Sequence, residues 1–156
     1  MKTLTPVKRY LLIFCVIFLA LLISIGTGFY LAVKPKLDAE KTATQLAIKK
    51  ADLSQTTLVD LYNGSQTYYS VYGKTKSGDK KIVSVGQDNG QIYIYNVDMG
   101  ISRQAAKSKA GETGAKEISK VVFGITNGTA IWEVTASNGY YLISFKTGEL
   151  IKREGV

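Results

Sequence analysis

The sequence predicts an α+β chain: one N-terminal transmembrane helix, then two tandem units, each made of one helix and a four-stranded antiparallel sheet. Three observations predict it. Residues 10–33 carry no side chain that ionises at neutral pH. From Thr56 onward, apolar residues alternate with a period of two between short segments rich in Gly, Asn and Asp, the pattern of strands joined by tight reversals. The plan of one helix followed by four strands is also written twice, because a displacement of sixty-four positions lays Asn63-Gly64 on Asn127-Gly128 and Tyr68 on Trp132.

As a helix, residues 10–33 reach roughly 36 Å, enough to cross a hydrocarbon core of about 30 Å with some tilt. Lys8 and Arg9 precede the run and Lys34 and Lys36 follow it, while Tyr10 at one end and Phe29 with Tyr30 at the other suit the two aromatic belts. The competing reading is a cleaved signal peptide. Against it, the run is longer than an ordinary export signal core, and its exit, residues 26–33, offers no clean small-x-small site. Cys15 follows Leu12, Ile13 and Phe14, where a lipid-attachment motif needs small residues, so it reads as a small packing or lipid-facing side chain. Lys2, Lys8 and Arg9 favour a cytoplasmic N-terminus, but Lys34, Lys36 and Lys41 stand on the other side, so length decides: a nine-residue tail is easily retained, and long domains translocate largely regardless of charge. The expected organisation is a cytoplasmic tail (1–9), a signal anchor (10–33), a first exterior domain (34–98) and a second (99–156).

Without the tail, seventeen Lys and Arg stand against twelve Asp and Glu, an exterior charge of +5. The basic residues read as scattered rather than gathered into one stripe, the mark of a solvated surface; anionic lipid heads and anionic wall polymer are the partners such a surplus would favour outside, and no nucleic acid is expected. The chain has no His and one Cys, Cys15. That excludes an intramolecular disulfide, the usual zinc, copper and iron sites, and a His-based triad. No catalytic residue, no cofactor-binding residue, no cofactor and no metal ligand is expected.

Taken in order, Pro35 predicts a break just outside the bilayer. A second helix is expected from Asp38 to about Leu53, with Ala39, Ala43, Leu46, Ala47 and Leu53 forming a stripe to lie on a sheet. Strands follow at 57–62, 67–74, 81–85 and 91–97, separated by Asn63-Gly64-Ser65-Gln66, Ser77-Gly78-Asp79 and Asp88-Asn89-Gly90, each with the residues that supply positive φ. A helix at 102–110, capped by Ser102 and stopped by Gly111, opens the second unit. Its strands are expected at 117–126, 130–136, 140–145 and 149–153, turning at Asn127-Gly128, Ser137-Asn138-Gly139 and Thr147-Gly148. One continuous sheet carrying both helices is the alternative to two units.

Several motifs imitate chemistry. Ser77-Gly78-Asp79-Lys80 and Lys146-Thr147-Gly148 match patterns of penicillin-recognising enzymes, but there the serine opens a helix, whereas Ser77 sits in a hairpin turn. Residues 73–80 approach a phosphate-binding loop yet lack the adjoining Lys-Ser/Thr and a following helix, and Asn63 and Asn127 are formal glycosylation acceptors that turn chemistry already explains. The carboxylates lie mostly at turns and element ends, with no spacing that pairs two for acid-base work. Glu133 alone falls inside an apolar strand, opposite in facing to Trp132 and Val134, and reads as an outward, solvated group.

Several strands carry large side chains on both faces. Tyr93 and Tyr95 alternate with Ile92 and Ile94, and Tyr68 and Tyr72 alternate with Tyr69 and Val71. One helix covers one face of a small sheet, so the tyrosine face either packs one unit on the other or meets a partner protein, which makes Tyr68, Tyr72, Tyr93 and Tyr95 the candidate partner-binding residues.

The order of short basic tail, anchor, Ala-rich helix and then Tyr62-Asn63-Gly64-Ser65-Gln66-Thr67-Tyr68-Tyr69-Ser70-Val71 resembles the first domain of the TseB-like, or YpmB-like, cell-wall elongation regulators of low-GC Gram-positive bacteria. The second half, with Trp132-Glu133-Val134-Thr135 and residues 145–151, looks like a PepSY-type unit. The resemblance implies a single-pass membrane protein with two cystatin-like exterior domains that contacts a penicillin-binding transpeptidase and modulates peptidoglycan elongation. It carries over no catalytic or binding residue. The PepSY likeness implies, as another class of function, an inhibitor or chaperone of an exported peptidase.

Overall fold

The structure is a computed structural model that describes residues 5–155; Lys2 of the tail and Val156 lie outside the described residues. The element order is α1 (Pro6–Ala51), β1 (Leu53–Asn63), β2 (Thr67–Thr75), β3 (Lys80–Gly86), β4 (Ile92–Asn96), a 3₁₀ turn (Val97–Met99), α2 (Arg103–Glu112), β5 (Lys120–Thr126), β6 (Thr129–Ala136), β7 (Gly139–Ser144) and β8 (Leu150–Glu154). The chain divides into two compact units after Ala39.

The first unit is helical, and α1 is long and apolar enough to cross a membrane, with none of its most apolar stretch buried against protein. The hydroxyl of Thr27, inside the run, is satisfied within the helix, Oγ1 donating to Ile23 O at 2.9 Å, which is how a polar side chain is tolerated where water is absent. The break expected at Pro35 does not occur: α1 runs through it without interruption. The proline ring removes only the bond that its own N–H would make to Leu31 O, at a cost of about 3 kcal/mol. Residues 31–41 are otherwise rich in helix formers, and stopping would require a second helix nucleation.

In the second unit, residues 40–155, the strands form two separate antiparallel meanders, β1-β2-β3-β4 and β5-β6-β7-β8, rather than one continuous sheet. Ala43, Ala47 and Ala51 of α1 are buried one turn apart, and on the first sheet Tyr69, Val71, Val83 and Val85 are buried on one face; each set accounts for the burial of the other. The face of the second sheet that carries Phe123, Trp132, Val134 and Ile143 receives Ala106 and Ala110 of α2.

Turn chemistry follows the sequence at Asn127-Gly128, where φ values of 48° and 73° close β5 on β6 in two residues. At Asn63-Gly64 it does not, since the β1–β2 reversal shows no positive φ. Gly64 is required there for another reason. A Cβ on it would stand 2.3 Å from the Tyr62 hydroxyl. In α2 the cap is as expected, Ser102 Oγ accepting from Ala105 N at 3.1 Å, but Gly111 lies within the helix and the left-handed residue after it is Gly114, with φ of 100°.

Candidate functional site

Alternation places Asp60, Ser70, Ser84 and Tyr93 in one row across the first sheet, and Tyr72, Ile82 and Tyr95 in the next, all on the face away from α1. Against this face lies β5, the edge strand of the second sheet. An edge strand carries unpaired backbone groups, and here side chains of the first sheet take them up. Phe123 N donates to Asp60 Oδ2 at 3.1 Å, and Ser70 Oγ donates to Phe123 O at 3.2 Å, while Ser70 and Ser84 share a 2.7 Å hydrogen bond beneath it.

Asp60 anchors this joint. Besides Phe123 N, its Oδ2 accepts from Tyr72 OH at 2.8 Å and from Arg103 Nη2 at 2.6 Å. The guanidinium, delivered by the first residue of α2, also donates to Val121 O and lies 5.3 Å and 5.4 Å from the Tyr72 and Trp132 ring centroids. Burial raises the Tyr72 phenol far above its ordinary range, and the neighbouring Asp60 charge raises it further, so it stays a donor. Behind the polar cluster stand Tyr95, Phe123, Trp132 and Phe145, with Phe123 edge-on to both Trp132 and Phe145.

The four candidate tyrosines therefore come together at the joint between the sheets. Tyr68 is 3% exposed and is held by Gln66, Tyr72 is half-buried on Asp60, and Tyr93 and Tyr95 are likewise half-buried. Asp60 and Arg103, which tie the joint, escaped sequence reasoning, because no local spacing relates them.

On the other face of the second sheet, the β1–β2 hairpin leaves a groove of two adjoining lobes, about 390 and 470 Å³, that share Asn63, Glu133 and Glu154. Glu133 faces away from Trp132 and Val134 as expected, yet it is half-buried rather than solvated, because the hairpin that carries Leu61 and Asn63 stands over that face. Burial raises its carboxyl above the usual range, Lys120 offsets part of the rise and Glu154 adds to it.

The motifs that imitate catalysis lie on hairpin turns of different sheets. Ser77 Oγ donates to Asp79 Oδ2 at 2.6 Å within its own reversal, and Thr147 Oγ1 donates to Glu149 Oε2 at 3.0 Å within another. Among the described residues, no three His, Cys, Asp or Glu side chains converge on a point where a metal could sit.

The pattern of the cell wall elongation regulator TseB-like domain matches residues 42–86, the end of α1 with β1 to β3. Across almost the whole length, the chain is 30% identical over 150 residues to the Bacillus subtilis (strain 168) protein named "Probable cell wall elongation regulator TseB", covering 92% of this chain and 93% of that one. The chain belongs to the TseB-like family of cell wall elongation regulators. The fold of this TseB-like chain is similar to that of the solved YpmB protein from Bacillus subtilis, with a TM-score of 0.69 and 25% identity over 74% of this chain and 96% of that chain. Within the TseB-like pattern fall Asp60, Ser70, Tyr72 and Ser84, half of the joint; Arg103 and Phe123, their counterparts, come from the region beyond it.

Proposed function

We propose that this TseB-like chain is anchored in the cell membrane by residues 10–33, with its tail in the cytoplasm and residues 34–156 outside, and that it regulates wall elongation without catalysis, by contact with a penicillin-binding transpeptidase. The observation that carries this reading is 30% identity across 92% of the chain to a protein named as an elongation regulator. The length and composition of α1 support the anchoring, and the nine-residue basic tail supports the orientation. The partly buried Tyr93 and Tyr95 are the part of the tyrosine face left for a partner, while Tyr68 packs edge-on against Tyr93 and Tyr72 is tied to Asp60. In-cell crosslinking of the tagged full-length chain tests the reading. Capture of a transpeptidase, weakened by Tyr93→Ser in a chain that still melts cooperatively, is the expected result, and capture of peptidases with no transpeptidase would overturn it.

The PepSY-type reading, an inhibitor or chaperone of an exported peptidase, rests on the helix and four-stranded meander of the second half. Suppression of a co-exported peptidase by the purified full-length chain would favour it.

A further inference from the structure

The basic surplus of residues 40–156 is not scattered, as the sequence reads, but gathered at one end of the first sheet. Lys74 and Lys80 are cross-strand partners on β2 and β3, Lys81 pairs with Gly73 beside them, and Lys76 lies in the reversal between the two strands. Lys81 Nζ reaches Ala51 O at 3.5 Å, at the end of α1, whose last turn carries Lys49 and Lys50. These six lysines meet Asp52 and Asp79, with Asp98 beside Lys80; the rest of residues 40–156 holds nine basic and eight acidic side chains. Three of the unit's four net positive charges are therefore located here.

None of the six is in an ion pair among the described residues, whereas Arg103, Lys109 and Lys152 elsewhere are. Asp79 already accepts hydrogen bonds from Ser77 and Thr75. The helix C-terminus gives Lys49, Lys50 and Lys81 a local role, since cations are stabilising there. It gives none to Lys74, Lys76 and Lys80, and like charges placed directly across two strands are destabilising. Their placement makes sense as a surface for an outside anion.

Three features define that anion. All six groups are lysines, flexible point charges without the planar fork that selects one carboxylate or phosphate geometry. Lys74 and Lys80 project from the face of Tyr72 and Ile82, and Lys81 projects from the opposite face, so a flat headgroup plane meets one set while a flexible chain can follow both. Between hairpin and helix end, an open cleft of about 650 Å³ is lined by Ile48 and Leu53 and by two lysines, Lys76 and Lys81, against two carboxylates, Asp52 and Asp79. The surplus that an extended anionic chain would meet is therefore that of Lys49, Lys50, Lys74 and Lys80. We propose that this end of the unit binds a linear anionic polymer of repeating phosphodiesters, of the kind a Gram-positive wall can present. The proposal rests on the exterior placement above, and it adds a second contact distinct from the transpeptidase.

The test uses the full-length chain in a neutral detergent and a fluorescent poly(glycerol phosphate) as probe. Binding should fall about tenfold or more between about 50 and about 200 mM salt, as for other polyanions neutralised by several lysines. It should fall at least about tenfold in a Lys74→Gln, Lys76→Gln, Lys80→Gln variant and be unchanged in a Lys107→Gln, Lys109→Gln, Lys116→Gln control. Equal loss in both variants, or loss in neither, overturns the proposal. So does tighter binding to phosphatidylglycerol vesicles or to polyglutamate than to the polyphosphodiester. Transpeptidase capture should survive the Lys74, Lys76, Lys80 change; if capture fails for the unaltered chain while the polymer still binds, the reading of partner falls and this one stands.

Discussion

Asp60 holds three donors on one oxygen, and their separations in the chain, twelve, forty-three and sixty-three positions, explain why nothing local in the sequence marks it. Asp60→Ala should lower stability by about 2–4 kcal/mol, because it strands the Phe123 N–H and an Arg103 guanidinium; the cost falls short of a fully buried pair since the Arg103 side chain is 37% exposed. The sole tryptophan, Trp132, lies in the joint, so its fluorescence during urea unfolding of the detergent-held chain reports the change. Glu133 gives a pH signature. Its folded-state pKa is raised by burial, so the folded state holds a proton that the unfolded state has released, and stability falls as pH rises from the unfolded value of 4.5 through the folded one. Glu133→Gln should therefore raise the melting temperature at pH 7 and lose that advantage below the unfolded value; an equal gain at both pH values would refute the desolvation account. Alternation in the sequence correctly gave the direction in which Glu133 points, but not the hairpin that covers it.

At the scale of elements, the eight strands and the helix caps follow from period and turn residues, because those signals are local. The errors came where a distant or cumulative effect outweighed a local one. Pro35 is a strong local stop signal, overridden by the helix formers around it. Gly64 and Gly124 look like turn and strand glycines, yet both are set by Tyr62: a Cβ on Gly124 would lie 2.3 Å from the Tyr62 ring, so β5 can approach β1 only with glycine there. Gly124→Ala should cost about 1–3 kcal/mol by overpacking, read in the same unfolding experiment, and Tyr62→Leu in the same chain should recover part of the loss. Tyr141 offers the opposite case. Its hydroxyl is buried without a partner among the described residues, so Tyr141→Phe should leave stability unchanged or raise it by about 1 kcal/mol.

For the whole molecule, the repeat of helix and meander was legible, but the joint that makes one core of two sheets was not. Tyr62, Tyr68 and Ile82 of the first sheet belong to the same buried cluster as Phe123, Trp132 and Phe145 of the second. Expressed separately, residues 34–98 and 99–156 should each fail to melt cooperatively, and mixing the two should restore the transition; a protease-resistant fragment covering either half alone would contradict this. What the chain does depends on where that core stands. The measurement that tests this most directly is labelling of Ser108→Cys, an exposed position on α2, by a membrane-impermeant maleimide in intact cells carrying Cys15→Ser. The account predicts full labelling without lysis, on a chain of unshortened length that stays with the membrane fraction. Labelling only after the cells are opened, or a shortened chain in the culture fluid, would contradict it.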